Sequence, residues 1–273
     1  MRELVSEAEV VAASGDDDLV VWAAQGMRPG VRAWAYGDAV AVASPAASRR
    51  DRLVVRGTAG GTTGDTAARL VPLVRHALAE AGPSYRPLGD AALIEQVVAA
   101  VPELEPAVGF SWMGTEKLAP PRQEATGPEV IGAEVIGAEG AYREGTASWL
   151  ADSAAPEVAA LLAAANPGSY AVPGLPRVRR WAGVRYGGSG ALLAVAADAW
   201  SAPTVGLLAG VATAAPARGR GLGERVCRFV ASALLAEHGR AALMVDDWNR
   251  AAVVVYERLG FARRRVAATG LRA

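Results

Sequence analysis

From Leu207 to Val226 the chain reads LLAGVATAAPARGRGLGERV: an apolar run, a glycine-rich turn carrying two arginines, and the opening of a helix. No other stretch restricts the fold as much. The apolar run, bounded by Pro216 and the glycines, predicts a strand over Thr204–Thr213. Beyond the turn, Val226, Phe229, Val230, Ala233 and Leu234 fall at i, i+3, i+4, i+7 and i+8, one apolar stripe of a helix. The first amides of a helix have no partner within it. The helix dipole adds partial positive charge there, and glycines let a ligand come close to the backbone. Arg218 and Arg220 add full charges. Strand, loop and helix in this order predict an α/β chain with a site for a phosphate-sized anion at the loop.

The neighbouring elements follow the same logic. Gly239 ends the long helix, with His238 beside its negative terminus. Ala241–Val245 reads as a buried strand, Asp246–Asn249 as a turn or cap, and a short helix runs to Arg258 with Gly260 behind it. Phe261–Ala267 returns as a last strand. Upstream, Asp152 or Ser153 caps a helix with Pro156 in its first turn, stopped by Asn166-Pro167-Gly168. Arg179–Tyr186 and Ala191–Ala197 read as strands about a Gly187-Gly188 turn.

The N-terminal half echoes this plan. Val31-Arg32-Ala33-Trp34 resembles Val178-Arg179-Arg180-Trp181. A strand over Arg52–Arg56, a glycine-rich loop over Gly57–Gly64 and a helix to Gly82 follow in order. Leu78–Gly82 matches Leu235–Gly239, and the same offset sets Gly64 opposite Gly221 and Val54 opposite Val211. Gly61 stands opposite Arg218, so the first copy lacks the basic side chain. Chance matches are easy in an alanine-rich chain, and duplication is one of two readings. Gly109–Glu144, with Pro120-Pro121 and the near-tandem EVIGAEVIGAEG, reads as the segment joining the halves, its repeat too brief for a solenoid.

Composition removes several function classes. At 273 residues, 52% hydrophobic and 21% charged, the chain suits one large domain or two small ones and excludes global disorder. Lys+Arg and Asp+Glu are 28 each, so there is no basic excess for nucleic acid. Cys227 is the one cysteine, which excludes an intramolecular disulfide and cysteine-based zinc sites; His76 and His238 stand far apart, and no metal is expected. MRELVSEAEV lacks the basic-then-apolar pattern of a secretory signal. The longest uncharged run, between Asp198 and Arg218, holds Ser201, Pro203 and Pro216 and does not read as a membrane span. A cytoplasmic protein without a membrane partner is expected, with a homodimer left open.

The loop fits neither common nucleotide motif. A P-loop needs Gly-Lys-Ser/Thr, and the dinucleotide fingerprint needs a glycine where Glu224 stands. Arg218-Gly219-Arg220-Gly221-Leu222-Gly223 instead resembles the Gln/Arg-x-x-Gly-x-Gly/Ala loop of the GNAT superfamily of acyl-CoA-dependent N-acyltransferases. NRAAVVVYERLGF supplies a second element of that family, with Asn249, Ala252, Tyr256, Gly260 and Phe261 in register. The resemblance covers roughly Val130 to the C-terminus, and more loosely two-domain members whose first half is degraded.

The resemblance implies a mixed, mostly antiparallel sheet flanked by helices, as a tandem of a degenerate copy over 1–125 and an intact one over 126–273. It implies acetyl-CoA or another acyl-CoA as co-substrate and an amine-bearing acceptor. The strand before the loop would splay from its neighbour, and the backbone of Val211, Ala212 and Thr213 would bond the pantetheine arm. Arg218 and the amides of Gly219, Arg220, Gly221, Leu222, Gly223 and Glu224 would hold the pyrophosphate. Asn249 would bond the pantetheine or shape its wall, and Tyr256 would be the general acid.

Acyl transfer to an amine needs a neutral nucleophile, a polarised carbonyl and a proton for the leaving sulfur. A backbone amide can stabilise an oxyanion, and tyrosine stays protonated at neutral pH. No glutamate lies on Thr204–Thr213, so Asp198 is the nearest candidate base, with a water chain as the alternative. The missing base supports a rival reading, a non-catalytic acyl-CoA-binding or regulatory module. Other residues read as structural: Cys227 as packing, Asn249 also as a helix cap, Asp16–Asp18 as a turn. The clusters Arg49-Arg50-Arg52, Arg177-Arg179-Arg180 and Arg263–Arg265 read as solvated faces. The acceptor carries no readable code.

Overall fold

Alternating apolar residues and glycine-bounded turns build strands throughout the chain, and these strands join in one sheet. The computed structural model describes residues 1–57, 63–121, 145–187 and 190–272. Among them are twelve strands: β1 (Arg2–Leu4), β2 (Arg32–Tyr36), β3 (Ala39–Ala47), β4 (Arg50–Arg56), β5 (Arg86–Asp90), β6 (Val108–Thr115), β7 (Ser148–Trp149), β8 (Val178–Arg185), β9 (Leu192–Ala199), β10 (Gly206–Thr213), β11 (Ala241–Val245) and β12 (Ala262–Ala268). The helices are α1 (Glu7–Ser14), α2 (Asp18–Ala24), α3 (Thr63–Ala81), α4 (Ala91–Ala100), α5 (Ala155–Ala165), α6 (Leu222–His238) and α7 (Arg250–Leu259). No helix among the described residues is long and apolar enough to cross a membrane.

The sheet order is β1-β2-β3-β4-β5-β12-β6-β11-β10-β9-β8-β7. It reads as a palindrome: β1–β5 on one side match β7–β11 on the other, and β12 and β6 lie at the centre. Only β4–β5 and β10–β11 are parallel; the other pairs are antiparallel. A helix bridges each parallel pair, α3 in the first half and α6 in the second, as a crossover requires. The last strand of each half sits beside the other half. β12 pairs with β5 through Val266–Ala268, and β6 pairs with β11 through Ser111–Thr115.

This placement corrects one expectation. Gly109–Thr115 does not belong to a linker; it is most of β6, in the middle of the sheet, with Trp112 and Met113 fully buried. The two halves share one continuous sheet. EVIGAEVIGAEG, the 125/126 boundary, Gly188 and most of the Gly57–Gly64 loop lie outside the described residues.

The pleat sorts side chains to two faces. One face carries α1, α2 and α5 over a core shared by both halves, containing Trp22, Trp112, Trp181 and Trp200. On the other face α3 and α4 cover the N-terminal strands, while α6 and α7 cover β8–β11. Asp16–Asp18 is more than a turn. The Asp17 carboxylate accepts from Val20 N–H at 3.0 Å and caps α2. It also pairs with Arg264 of β12 and Arg56 of β4. Arg264 is therefore a half-buried partner, not part of a solvated face.

Candidate functional site

The site follows from how β10 and β11 separate. Their parallel ladder covers only Gly206–Leu208 against Ala241–Leu243. Beyond it β10 continues to Thr213 and β11 to Val245 without pairing, so the two strands form an open fork. On its other edge β10 carries a bulge between Ala209 and Ala212. Gly210 at that bulge has φ 63°, and a Cβ there would lie 2.5 Å from the Trp181 ring, so the close approach needs glycine.

Antiparallel alternation fixes which backbone groups face the fork. Ala214 N–H donates to Leu193 O at 2.8 Å, and Ala212 lies opposite Val195. Ala212 therefore turns its polar groups to β9, and the expectation that it lines the fork is corrected. Val211 and Thr213 face the open side. Their carbonyls already have donors: Asn166 Nδ2 at 3.0 Å from Val211 O, and Arg218 Nε at 3.3 Å from Thr213 O. The amides of Val211 and Thr213 point the same way. Asn166 was legible only as a helix stop, because its partner strand lies far along the sequence.

The fork leads to the loop. Gly219 and Gly221 have φ 75° and 74°, and a Cβ on either would meet nothing within 4 Å. Both positions are open space that only a left-handed backbone reaches easily. Gly221 precedes α6, and among the described residues no side chain caps the helix. Its first amides, with Leu222 buried beneath and Gly223 and Glu224 in the first turn, are left to face the loop. A Cβ at Gly223 would sit 3.2 Å from Thr213 Oγ1, so helix and strand meet closely there. Arg218 is tied to the end of β10 and, at 3.4 Å, to Ala165 O of α5. Arg220 is exposed.

Tyr256 of α7 is buried next to Cys227 and Phe261, its ring 6.2 Å from that of Phe261. Burial, helped by Cys227, pushes its hydroxyl well above the usual tyrosine range. The hydroxyl makes no hydrogen bond with any described residue, so its proton is uncommitted. Burial, with Glu224, pushes the Cys227 thiol up to about 12, which keeps it a packing thiol. Asn249 caps α7, accepting from Ala252 N–H at 3.3 Å.

Asp198 lies one strand over from Leu208, where the β10–β11 ladder ends and the fork begins. It is fully buried at the end of β9, opposite Leu208. Arg180 Nε lies 3.1 Å from its carboxylate, Arg179 Nη1 3.6 Å, and Ser201 Oγ donates at 2.7 Å. The same cluster holds Glu237 and His238 at the last turn of α6, whereas the loop stands at its first. A carboxylate held by two guanidiniums and a hydroxyl is a structural anchor here, a helix length from the loop. Asp198→Asn is expected to lower stability by about 1–3 kcal/mol, because Arg180 and Arg179 keep only Glu237 as a charge partner. Thermal unfolding checks it.

The N-terminal counterpart differs. β4 and β5 pair over Arg52–Val54 and Arg86–Leu88, and a Cβ on Gly89 would lie 2.5 Å from Val55 O. These strands stay in contact past their ladder, so no fork opens.

Comparison with known proteins agrees with this geometry. Residues 184–269, which contain the fork, the loop, Asn249 and Tyr256, match the FR47-like protein family. A GCN5-related N-acetyltransferase from Kribbella flavida is 20% identical, with 91% of this chain and 92% of that one aligned at a TM-score of 0.55. A GNAT-family protein from Novosphingobium aromaticivorans is 22% identical over 88% of this chain and 91% of that one, at a TM-score of 0.48. An acetyltransferase of the GNAT family from Colwellia psychrerythraea is 14% identical over 99% of both chains, at a TM-score of 0.49. No curated protein matches the sequence. The chain thus has the GNAT fold, and its residues 184–269 form an FR47-like segment within it.

Proposed function

We propose that this chain transfers an acyl group, acetyl first among them, from CoA to an amine by direct attack in a ternary complex in the cytoplasm. The observation that carries the reading is the fork between β10 and β11 opening onto the uncapped start of α6. The residues present fit an acyl-CoA. The amides of Gly219–Glu224, with Arg218 and Arg220, would hold the pyrophosphate, because a helix start with left-handed glycines is a cradle for phosphate oxygens. The Val211 and Thr213 amides would hold the pantetheine arm, and Asn249 its wall. Bound acetyl-CoA supplies an activated thioester carbonyl. Tyr256, whose buried hydroxyl stays protonated, would give the departing sulfur its proton. Among the described residues no free carboxylate is buried at the fork, so the amine would arrive neutral and release its proton to solvent. We also read the palindromic sheet as a duplication, 1–125 and 126–273, in which each half has given its last strand to the other.

The test is thermal unfolding with acetyl-CoA, against ATP and NADPH. A ligand at about a hundred times its dissociation constant adds about 2.7 kcal/mol, which for a chain of this size is a rise of several degrees. A rise with acetyl-CoA alone, followed by free-thiol release with a panel of amines, supports the proposal; no rise overturns it. A rise without turnover on any amine favours the binding-module reading. Gly221→Trp is expected to abolish the rise, since φ 74° disfavours any side chain and the indole would occupy the cradle.

A further inference from the structure

We infer that a cleft at the opposite end of α6, between Arg28 and Arg177, binds a small molecule through an oxyanion, carboxylate or phosphate. The cleft has a volume of about 500 Å³ and is walled by Trp200, Ala202 and Pro203, with Gln25, Arg28, Arg177 and His238 around it. That volume lies within the range of small-molecule sites. It draws on both halves of the chain, and it does not depend on the acyl-transfer reading.

Charge is the first argument. The Arg177 side chain makes no hydrogen bond or ion pair with any described residue, and its Nη1 is buried. Arg28 donates only to a neutral group, Pro45 O at 2.6 Å, while its Nε is buried without a partner. The two guanidiniums oppose each other: burial, then the Arg28 charge, lowers Arg177 to about 10. His238 Nδ1 lies 3.2 Å from Pro203 O, and its Nε2 is buried without a partner. The acid facing the cleft, Asp198, is already held by Arg180, Arg179 and Ser201, and Arg179 also pairs with Glu237. Two adjacent cations without an acid between them are unfavourable in the free protein. A carboxylate or phosphate answers both, because its oxygens match guanidinium donors in pairs.

Backbone strain is the second argument. Gln25, Arg177 and Trp200 have φ of 50°, 68° and 56°, left-handed conformations that favour glycine. All three line the cleft, and Trp200 N–H donates to Arg177 O at 2.8 Å, so two strained residues are tied together. Such strain collects at binding sites, where side chains are held in place at the expense of stability. Position separates this cleft from the glycine-rich loop. His238 is the last residue of α6 and the loop precedes its first, a separation of about 25 Å along the helix.

The experiment titrates the full chain with inorganic phosphate and, separately, succinate, at constant ionic strength against chloride, by calorimetry and thermal unfolding. We expect one-to-one binding and a rise of a few degrees with at least one anion. A response to phosphate alone assigns a phosphate ester, and one to succinate alone a carboxylate. The response should survive Gly221→Trp, which blocks the other anion cradle. Arg28→Gln should weaken binding at least tenfold. Arg177→Gly should abolish it and, in chloride alone, raise the unfolding temperature, because it removes both the strain and the repulsion. A structural role for Arg177 predicts a fall instead. The inference is overturned by no response in the wild-type chain, by a response that survives Arg28→Gln, or by a fall in Arg177→Gly without anion.

Discussion

Asp17→Ala is expected to lower the stability of this protein by about 3–5 kcal/mol, the range for removing one partner of a buried ion cluster. The Asp17 carboxylate serves three elements together. It caps α2 through Val20 N–H, pairs with Arg56 on β4, and pairs with Arg264 on β12. Its side chain is 4% exposed, and those of Arg264 and Arg56 are 30% and 26% exposed. Without it, two half-buried guanidiniums lose their principal acid and the helix loses its cap. At about 2–4 °C per kcal/mol for a chain of this size, the unfolding temperature should fall by roughly 10 °C. An unchanged temperature would mean that the cluster contributes nothing to stability.

The acid limb carries a signature of its own. Burial would raise the Asp17 pKa, but hydrogen bonding and charge from Arg264, with Val20 N–H and Arg56, outweigh it and hold the carboxyl below its ordinary value. Its stabilisation is therefore present above the unfolded pKa, about 4, and is lost as pH falls through the lower folded value. Asp18 has the opposite sign. Burial raises its pKa despite the 2.8 Å hydrogen bond from Trp112 Nε1. Its charge opposes folding above that raised value, and acidification relieves it. Asp18→Asn keeps an acceptor for Trp112 and removes the charge, so at neutral pH it should cost far less than Asp17→Asn or add stability. Urea unfolding of the two variants at pH 7 and pH 4 separates the signs.

Tyr256→Phe is expected to cut turnover by about a hundredfold or more, the usual contribution of a positioned acid, with acetyl-CoA affinity nearly unchanged. The ring packs against Phe261 and the core around Cys227, and a phenyl group keeps that packing. The hydroxyl makes no hydrogen bond with a described residue, so removing it leaves no orphaned partner and the unfolding temperature should hold. A loss confined to kcat is the mark of an interaction made in the transition state. Equal turnover in the variant would take Tyr256 out of the mechanism.

The C-terminal half was largely legible in the sequence. The strand read over Ala241–Val245 has those bounds, and the helices ending at Gly239 and Gly260 end there in left-handed caps. Local pattern and local chemistry agree in these segments. β5, RPLGD, and β6, VGFSWMGT, carry proline, glycine and polar residues and give no clear alternation. They are strands because neighbours on both sides make them so, and strand preference depends strongly on such context. The same limit explains Asp17 and Arg264, read as a turn and a solvated face because each partner lies at the other end of the chain. The echo between Leu78–Gly82 and Leu235–Gly239 was legible because both close a helix, α3 and α6, with the same local requirements.

The exchanged strands bear on how the chain is made. β12 follows β5 by about 170 residues, so the strand that completes the N-terminal half leaves the ribosome long after the rest of that half. At about 5–20 residues per second, the unpaired side of β5 waits roughly 10–35 s for its partner. Until then it presents bare N–H and C=O groups to any other strand in reach, including those of a second nascent chain. Neither half can finish its sheet alone, so folding is committed only once β12 has emerged, and this protein should depend on protection of that edge during synthesis.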